Sequence, residues 1–173
     1  MTQIPDMLVT TFLEMNDPAQ FRPAFLADTD SLTMMRMETL DLPFYKFLYQ
    51  AVGDAWRWRD RLIITDEQLA AELAICSVDV LYVEGIPAGY AELLPEGDGS
   101  VELAYFGLRE RFIGRGLGKH FLSWSVERAW ADGAKRVWLH TCNLDSPIAL
   151  ANYQKRGFEV FKTTEAPMPE HYL

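Results

Sequence analysis

The 173-residue sequence has only two cysteines, three histidines and no apolar run approaching the roughly 18–20 residues that a membrane span requires. Its first fifteen residues also lack the basic region and apolar core of a secretion signal, so we expect a cytoplasmic protein. Cys76 and Cys142 lie inside apolar stretches, which indicates buried free thiols rather than a disulfide. His120, His140 and His171 are scattered without metal-ligand spacing, and no metal site is expected.

Positive charge is scarce as well. The 16 Lys and Arg residues are outnumbered by 25 Asp and Glu residues, giving a net charge of -9. A field of this sign repels phosphate backbones and anionic lipid headgroups, so neither nucleic acid nor a membrane surface is an expected partner, and a cationic partner is favoured. Residues 109–119 have the opposite sign of charge, because this segment contains four basic residues and only one acidic residue. This segment indicates an anion site.

The composition that remains is that of one folded domain. Hydrophobic residues make up 49% of the chain and charged residues 24%, and no repeat or linker divides it. We therefore predict a single domain over residues 1–173. Its first 75 residues are expected to contain strands at 9–15 and 32–38, a helix after Pro43 and a capped helix from Thr65.

The second half of the chain alternates short β-rich runs with helical patterns. Three antiparallel strands are expected to be followed by a helix, a strand, a second helix and a last strand, at residues 78–85, 87–96, 101–108, 117–131, 136–141, 147–156 and 158–163. A strand–helix–strand succession gives a parallel pair through a right-handed crossover. The predicted fold class is therefore α/β, with a mixed sheet and helices on its faces.

A glycine-rich loop joins the third of these strands to the next helix. Gly114, Gly116 and Gly118 occupy alternate positions, so the backbone can approach a ligand closely. Free amides and the positive end of the helix dipole would then converge on one spot, as in pyrophosphate sites. The spacing fits neither the dinucleotide fingerprint nor the Walker loop, since Lys119 stands where each would need glycine.

The last predicted helix is short and sharply bounded. Ser146 is expected to be its N-cap, Pro147 its first residue and Gly157 its left-handed stop. Tyr153 falls in the second half of this helix. Either its phenol reaches the gap between the neighbouring strands, or its ring packs in the ordinary way with the hydroxyl at the protein surface.

Two patterns in this half, taken together, resemble the signature regions of the GNAT superfamily of acyl-CoA-dependent N-acyltransferases. They are R-x-x-G-x-G at 111–116 and S-x-x-A-x-x-x-Y-x-x-x-G-F at 146–158. The resemblance covers residues 78–164 in element order. It implies a mostly antiparallel central sheet flanked by helices on both faces, with splayed central parallel strands. Residues 78–164 would form the CoA-binding core, and residues 1–75 the acceptor side.

The resemblance also implies the site for acetyl-CoA as co-substrate. The pyrophosphate is expected on the amides of 113–118, and the Leu108 N–H is expected to bind the thioester carbonyl and then the oxyanion. Either Ser146, where the family often has Asn, or the nearby Asn143 would contact the pantetheine arm. The full cofactor-binding prediction is Phe106, Gly107, Leu108, Arg111, Ile113, Gly114, Arg115, Gly116, Leu117, Gly118, Lys119, Asn143, Ser146 and Ala149.

Proton transfer defines the catalytic predictions. Tyr153 maps to the general acid that protonates the departing CoA thiolate. The family does not fix the base that must deprotonate the attacking amine. Glu102 is the first candidate, because a carboxylate in that strand can face the cleft, and His140 is the second. Glu92 and Glu38 are further alternatives.

The acceptor is left open by the sequence. The acidic total and the aromatic residues Tyr45, Tyr49, Trp56 and Trp58 are compatible with a cationic amine, either a small molecule or a protein amino group, although such aromatics also pack over core edges. The leading hypothesis is an N-acetyltransferase that works by direct attack. The alternatives are a non-catalytic acyl-CoA-binding regulatory module and a nucleotide site without CoA. Exposed strand edges lead us to expect a homodimer.

Overall fold

The computed structural model describes residues 4–173, which form one seven-stranded sheet with four α-helices. The strands are β1 (Met7–Met15), β2 (Leu32–Arg36), β3 (Ser77–Val83), β4 (Ile86–Pro95), β5 (Ser100–Leu108), β6 (Arg136–Cys142) and β7 (Glu159–Pro167). The helices are α1 (Leu42–Gly53), α2 (Asp66–Leu73), α3 (Leu117–Ala131) and α4 (Ala149–Lys155). None of the helices in this described part of the chain is long and apolar enough to cross a membrane.

The order of the strands confirms the predicted mixed sheet. It runs β2-β3-β4-β5-β6-β1-β7, and every neighbouring pair is antiparallel except β5 and β6. These two central strands pair over three residues only, from Ser100 opposite Arg136 to Glu102 opposite Trp138, and then diverge. The predicted splay between parallel strands is thus present, and it begins at Glu102.

The position of β1 was not foreseen. This first strand lies between β6 and β7, antiparallel to both, so that Thr10 pairs with Cys142 on one side and Thr164 on the other. Because β1 begins at Met7 and pairs with β7 from that residue onward, β7 continues to Pro167, beyond the predicted end at residue 163.

Two apolar clusters cover opposite faces of the sheet, as the alternation along the strands requires. On β4, Tyr90 packs under α1 and α2, whereas the adjacent Ala91 packs under α3. Helices α1 and α2 begin at residues whose side chains cap them. Asp41 accepts a hydrogen bond from the N–H of Phe44 at the start of α1, and Thr65 forms a capping box at the start of α2.

Two local predictions need correction. Helix α4 begins at Ala149 rather than Pro147, and Ser146 is not its N-cap. Residues 147–148 form a turn instead, closed by a 2.9 Å hydrogen bond from the Ala149 N–H to the Ser146 carbonyl.

Cys76 and Cys142 are free thiols, as predicted, but both are half-buried rather than buried.

The predicted stop at Gly157 is a tight one. Its φ is +104°, and a Cβ there would collide with the carbonyl oxygen of Gln20. Gly133, after α3, has a similar φ of +99° but open space around it. We expect Gly133→Ala to lower the free energy of unfolding by about 1–2 kcal/mol from backbone strain alone. We expect Gly157→Ala to cost at least about 3 kcal/mol, because strain and overpacking add.

Urea denaturation of the two variants measures both costs. Equal losses would show that the segment around Gln20 moves aside without resistance, and that the close approach to Gly157 does not fix the end of α4.

Candidate active site

The divergence of β5 and β6 opens a cleft of about 640 Å³ in the middle of the sheet. One wall is the second half of β5, and the other is formed by the end of β6, the β6–α4 loop and α4. Gly118 at the start of α3 lies at the cleft, as does much of the segment between α1 and α2. The volume is in the range of small-molecule sites.

Most of the predicted site residues meet at this cleft. Those that line it are Glu102, Phe106, Gly107, Leu108, Ile113, Gly118, His140, Ser146, Ala149 and Tyr153. The remaining residues predicted at the glycine loop lie outside the cleft wall, in the loop before α3 and in the first turn of that helix: Arg111, Gly114, Arg115, Gly116, Leu117 and Lys119. The side chain of Leu117 is buried in the core, so only its backbone is available to a ligand.

Asn143 is placed differently from the prediction. Its side-chain amide pairs with the backbone of β1, accepting from the Val9 N–H at 3.0 Å and donating to the Met7 carbonyl at 2.9 Å. Both amide atoms of Asn143 therefore bind the backbone of β1, and Asn143 does not line the cleft. Of the two residues considered for that role, Ser146 is the one at the cleft.

The glycine loop has the conformation of an anion cradle. Gly114 and Gly116 have φ values of +82° and +76°, and Gly116 is the N-cap of α3. No side chain among residues 4–173 caps this helix, so its first amides stay free for a ligand. The guanidinium groups of Arg111 and Arg115 lie 5.0 and 5.7 Å from the Phe112 ring, and both side chains are exposed. The loop therefore presents amides and cations together.

The end of β5 points an amide into the cleft. The Arg109 N–H donates to the Ala88 carbonyl of β4 at 2.8 Å. Successive N–H groups along a strand point to opposite sides, so the Leu108 N–H is directed away from β4, toward the gap left by β6. This is the direction that an oxyanion donor needs.

The two leading base candidates face each other where the strands diverge. Nε2 of His140 lies 3.5 Å from Oε1 of Glu102. Burial, with the nearby carboxylates Glu96 and Glu92, raises the pKa of Glu102 to about 7. Burial lowers the pKa of His140, so its ring is neutral at neutral pH. A carboxylate that titrates near 7 is well matched to accepting a proton under those conditions.

Tyr153 enters the cleft from α4. Its ring packs edge-on against Phe158 at a centroid distance of 6.2 Å. Burial, and secondarily the charge of Asp145, raise the pKa of the Tyr153 phenol well above its ordinary value. The group therefore keeps its proton at neutral pH and is suited to donating it.

Other predicted residues lie in the core or outside the site. Tyr45 and Tyr49, which the sequence left compatible either with an acceptor site or with core packing, are fully buried in the core. Glu92 is also fully buried, and its carboxylate accepts from the Tyr45 hydroxyl and from Arg61, each at 2.5 Å. A carboxylate so enclosed cannot serve as the base. Glu38 is exposed and away from the cleft wall.

The cleft also contains residues that the sequence did not single out: Arg57, Asp60, Arg61, Glu72, Asp145 and Tyr172. Trp56 and Trp58 line the same end, as one of the two earlier interpretations proposed. Asp145 accepts from the Thr141 hydroxyl at 2.7 Å and the Cys142 N–H at 2.9 Å. Its place before Ser-Pro signals a turn, but no local pattern indicates that the turn faces a cleft.

Family comparison agrees with this geometry. The model of the acetyltransferase (GNAT) family matches residues 35–158. The chain belongs to the GNAT family. The resemblance drawn from the two signature patterns is thereby confirmed, and the match also includes part of the N-terminal half.

Solved structures with this GNAT fold are similar over most of the chain. A GCN5-related N-acetyltransferase from Kribbella flavida has 22% identity and a TM-score of 0.61 over 92% of this chain and 58% of its own. An IAA acetyltransferase from Bacillus cereus has 25% identity and a TM-score of 0.60, over 76% of this chain and 79% of its own. A GNAT family acetyltransferase from Elizabethkingia anophelis with acetyl-CoA bound has 22% identity and a TM-score of 0.59, over 77% of this chain and 79% of its own.

This GNAT chain therefore spans little more than half the length of the Kribbella protein. No curated protein matches the sequence significantly.

Proposed function

We propose that this chain transfers an acetyl group from acetyl-CoA to a primary amine. One observation carries the proposal: residues from different elements meet at one cleft. They are Glu102 and His140, the two candidate general bases, which contact each other, and Tyr153, the candidate general acid. A base and an acid on one cleft are what direct transfer between two bound substrates requires.

The chemistry follows from these positions. Glu102 removes a proton from the bound ammonium, and the free amine attacks the thioester carbonyl carbon. The resulting oxyanion is held by the Leu108 N–H, a fixed dipole aimed at the developing charge. The C–S bond then breaks, and the thiolate takes the proton of Tyr153. The second proton, lost from the nitrogen as the amide forms, goes to the Tyr153 phenolate and restores the acid. His140, exposed over 47% of its side chain, connects Glu102 to solvent, so that the proton taken from the ammonium can be released.

The acetyl-CoA site rests on the loop before α3. The amides of the loop and of the first turn of α3 would bind the pyrophosphate, with Arg111, Arg115 and Lys119 supplying positive charge. The pantetheine would extend along Phe106 and Leu108, within reach of Ser146. The bound acetyl-CoA in the Elizabethkingia structure, which shares this fold, supports the assignment.

The acceptor that we propose is a cationic amine. Four carboxyl groups, those of Asp60, Glu72, Glu102 and Asp145, line the cleft against the guanidinium groups of Arg57 and Arg61. Trp56 and Trp58 add aromatic faces at the same end. Carboxylates and indole rings both favour a positively charged group over an anionic one. A cytoplasmic location and a homodimer stay predictions.

Thermal unfolding with ligands tests the cofactor first. At about 100 times its Kd, acetyl-CoA or CoA should add about 2.7 kcal/mol to the free energy of unfolding, which in a chain of this size raises Tm by about 5–10 °C. ATP and NAD, tested in parallel, should raise it much less, since neither supplies the pantetheine arm.

Thiol release with a panel of amines then separates the alternatives. Stabilisation by CoA without thiol release from any amine would indicate a non-catalytic acyl-CoA-binding module. Stabilisation by ATP alone would indicate a nucleotide site, and the acetyltransferase proposal would be wrong.

A further inference from the structure

The acceptor end of the cleft is crossed by a set of contacts that we call the strap, formed by Arg57 and Asp60 on one side and His171 and Tyr172 on the other. The Tyr172 hydroxyl lies 2.8 Å from both carboxylate oxygens of Asp60. Nε2 of His171 lies 3.0 Å from Oδ1 of the same group. In return, Nη1 of Arg57 donates to the Tyr172 carbonyl at 2.8 Å. The strap thus has hydrogen bonds in both directions.

These contacts join the two halves of the splayed sheet. Residues 57–60 follow α1, which packs on the β3–β4 side. Residues 171–172 follow β7, which lies beyond β6 and β1 on the other side of the gap. Trp58 makes a second, longer crossing, with Nε1 3.4 Å from Oδ1 of Asp145. The strap therefore spans the cleft rather than bordering it.

The anchor of the strap is held in an unusual backbone conformation. Arg57 has a φ of +60° and ψ of +34°, in the left-handed region that residues with a Cβ rarely occupy. Such residues persist where their surroundings hold them, and they cluster at sites of function. Here the side chain contact with Tyr172 is one of the interactions that hold the residue.

Tyr172 is the member of the strap best placed to meet an acceptor. It lines the cleft together with Trp58, Tyr105 and His140. The hydrogen bonds to Asp60 fix the orientation of its ring, which forms part of the cleft wall. A long acceptor bound with its amine at Glu102 would meet this wall.

We propose that Tyr172 is a specificity-determining residue that limits the length of the amine acceptor. The proposal rests on the acetyltransferase function proposed above. It predicts that the protein acetylates short amines efficiently and loses efficiency once the acceptor is long enough to reach the strap, because the ring cannot be displaced without breaking the hydrogen bonds between its hydroxyl and Asp60.

The test is a series of linear diamines, from propane-1,3-diamine to decane-1,10-diamine, assayed by thiol release. Wild-type kcat/KM should fall sharply beyond one chain length. Tyr172→Ala should raise kcat/KM for the longest diamine, relative to the shortest, by about tenfold or more, mainly through KM. Phe161→Ala provides the matched control, because this ring is exposed on β7 and away from the cleft wall. It should leave the length profile unchanged.

Tyr172→Phe distinguishes the effect of the aromatic ring from the effect of the hydrogen bonds that hold the ring in place. It keeps the ring but loses the hydrogen bonds to Asp60, so we expect a smaller relaxation of the length limit; it also serves if the alanine variant fails to fold. An unchanged profile in a folded variant that still binds acetyl-CoA would overturn the role of Tyr172 while leaving the acetyltransferase proposal intact. Absence of turnover by the wild type with every amine would overturn both.

Discussion

Replacing Tyr153 with phenylalanine is expected to lower kcat by about 100- to 10,000-fold. The change removes one hydroxyl and keeps the ring, so the packing against Phe158 and the fold are retained. The loss falls on kcat because a proton on the leaving thiolate matters only as the C–S bond breaks. The Kd of acetyl-CoA, measured by calorimetry, should stay within about twofold, since binding depends on the loop before α3.

Tyr82→Phe is the matched control for this experiment. Tyr82 lies on β3, half-buried and away from the cleft wall, so its hydroxyl should not affect turnover. If Tyr153→Phe turned over at the rate of the control, Tyr153 would not be the acid, and the thiolate would take its proton from water.

The second large effect concerns Glu102. Its pKa of about 7 means that the base is ionised above neutrality and protonated below it. A base must be deprotonated to act, so wild-type kcat/KM should rise with pH through about 7. Glu102→Gln cannot accept a proton and should lower kcat/KM by about 100- to 1,000-fold. It should also remove the inflection from the pH profile.

The neighbouring His140 gives the competing outcome. Its pKa is lowered from the ordinary value of 6.5, so a profile governed by His140 would inflect below 6.5. Persistence of the inflection in Glu102→Gln, together with its loss in His140→Gln, would assign the base to His140. Glu159→Gln, at an exposed position on the edge strand β7, should change neither rate nor profile.

Local signals predicted the elements well where the chain marks its own boundaries. Helix α3 runs over Leu117–Ala131 as expected, because Gly116 opens it and Gly133 follows it. The β3–β4–β5 meander followed from short turns between apolar runs. Capping chemistry was a weaker guide at Ser146, since a serine before a proline suits both a cap and the turn that is present.

The site was predictable where a motif carries it and not where distant segments meet. The glycine loop and Tyr153 were found from patterns within single elements, whereas Glu102 was one candidate among several carboxylates and a histidine. Tyr172 carries no local signal, because its position at the cleft depends on Asp60, more than a hundred residues earlier. The sequence left open whether Tyr45 and Tyr49 belong to an acceptor site or to the core, and the orientation of α1 buries both in the core.

The place of β1 between β6 and β7 affects how the chain folds during synthesis. During synthesis β1 leaves the ribosome first, but its partners β6 and β7 are among the last segments to emerge. Until then the apolar strand MLVTTFLEM has both edges unpaired, the state in which strands associate with other chains. Pairings as distant as Thr10 with Cys142 also slow the closure of the sheet. The sheet can therefore be completed only after translation of β7, and until then β1 is the strand whose two edges lack their partners.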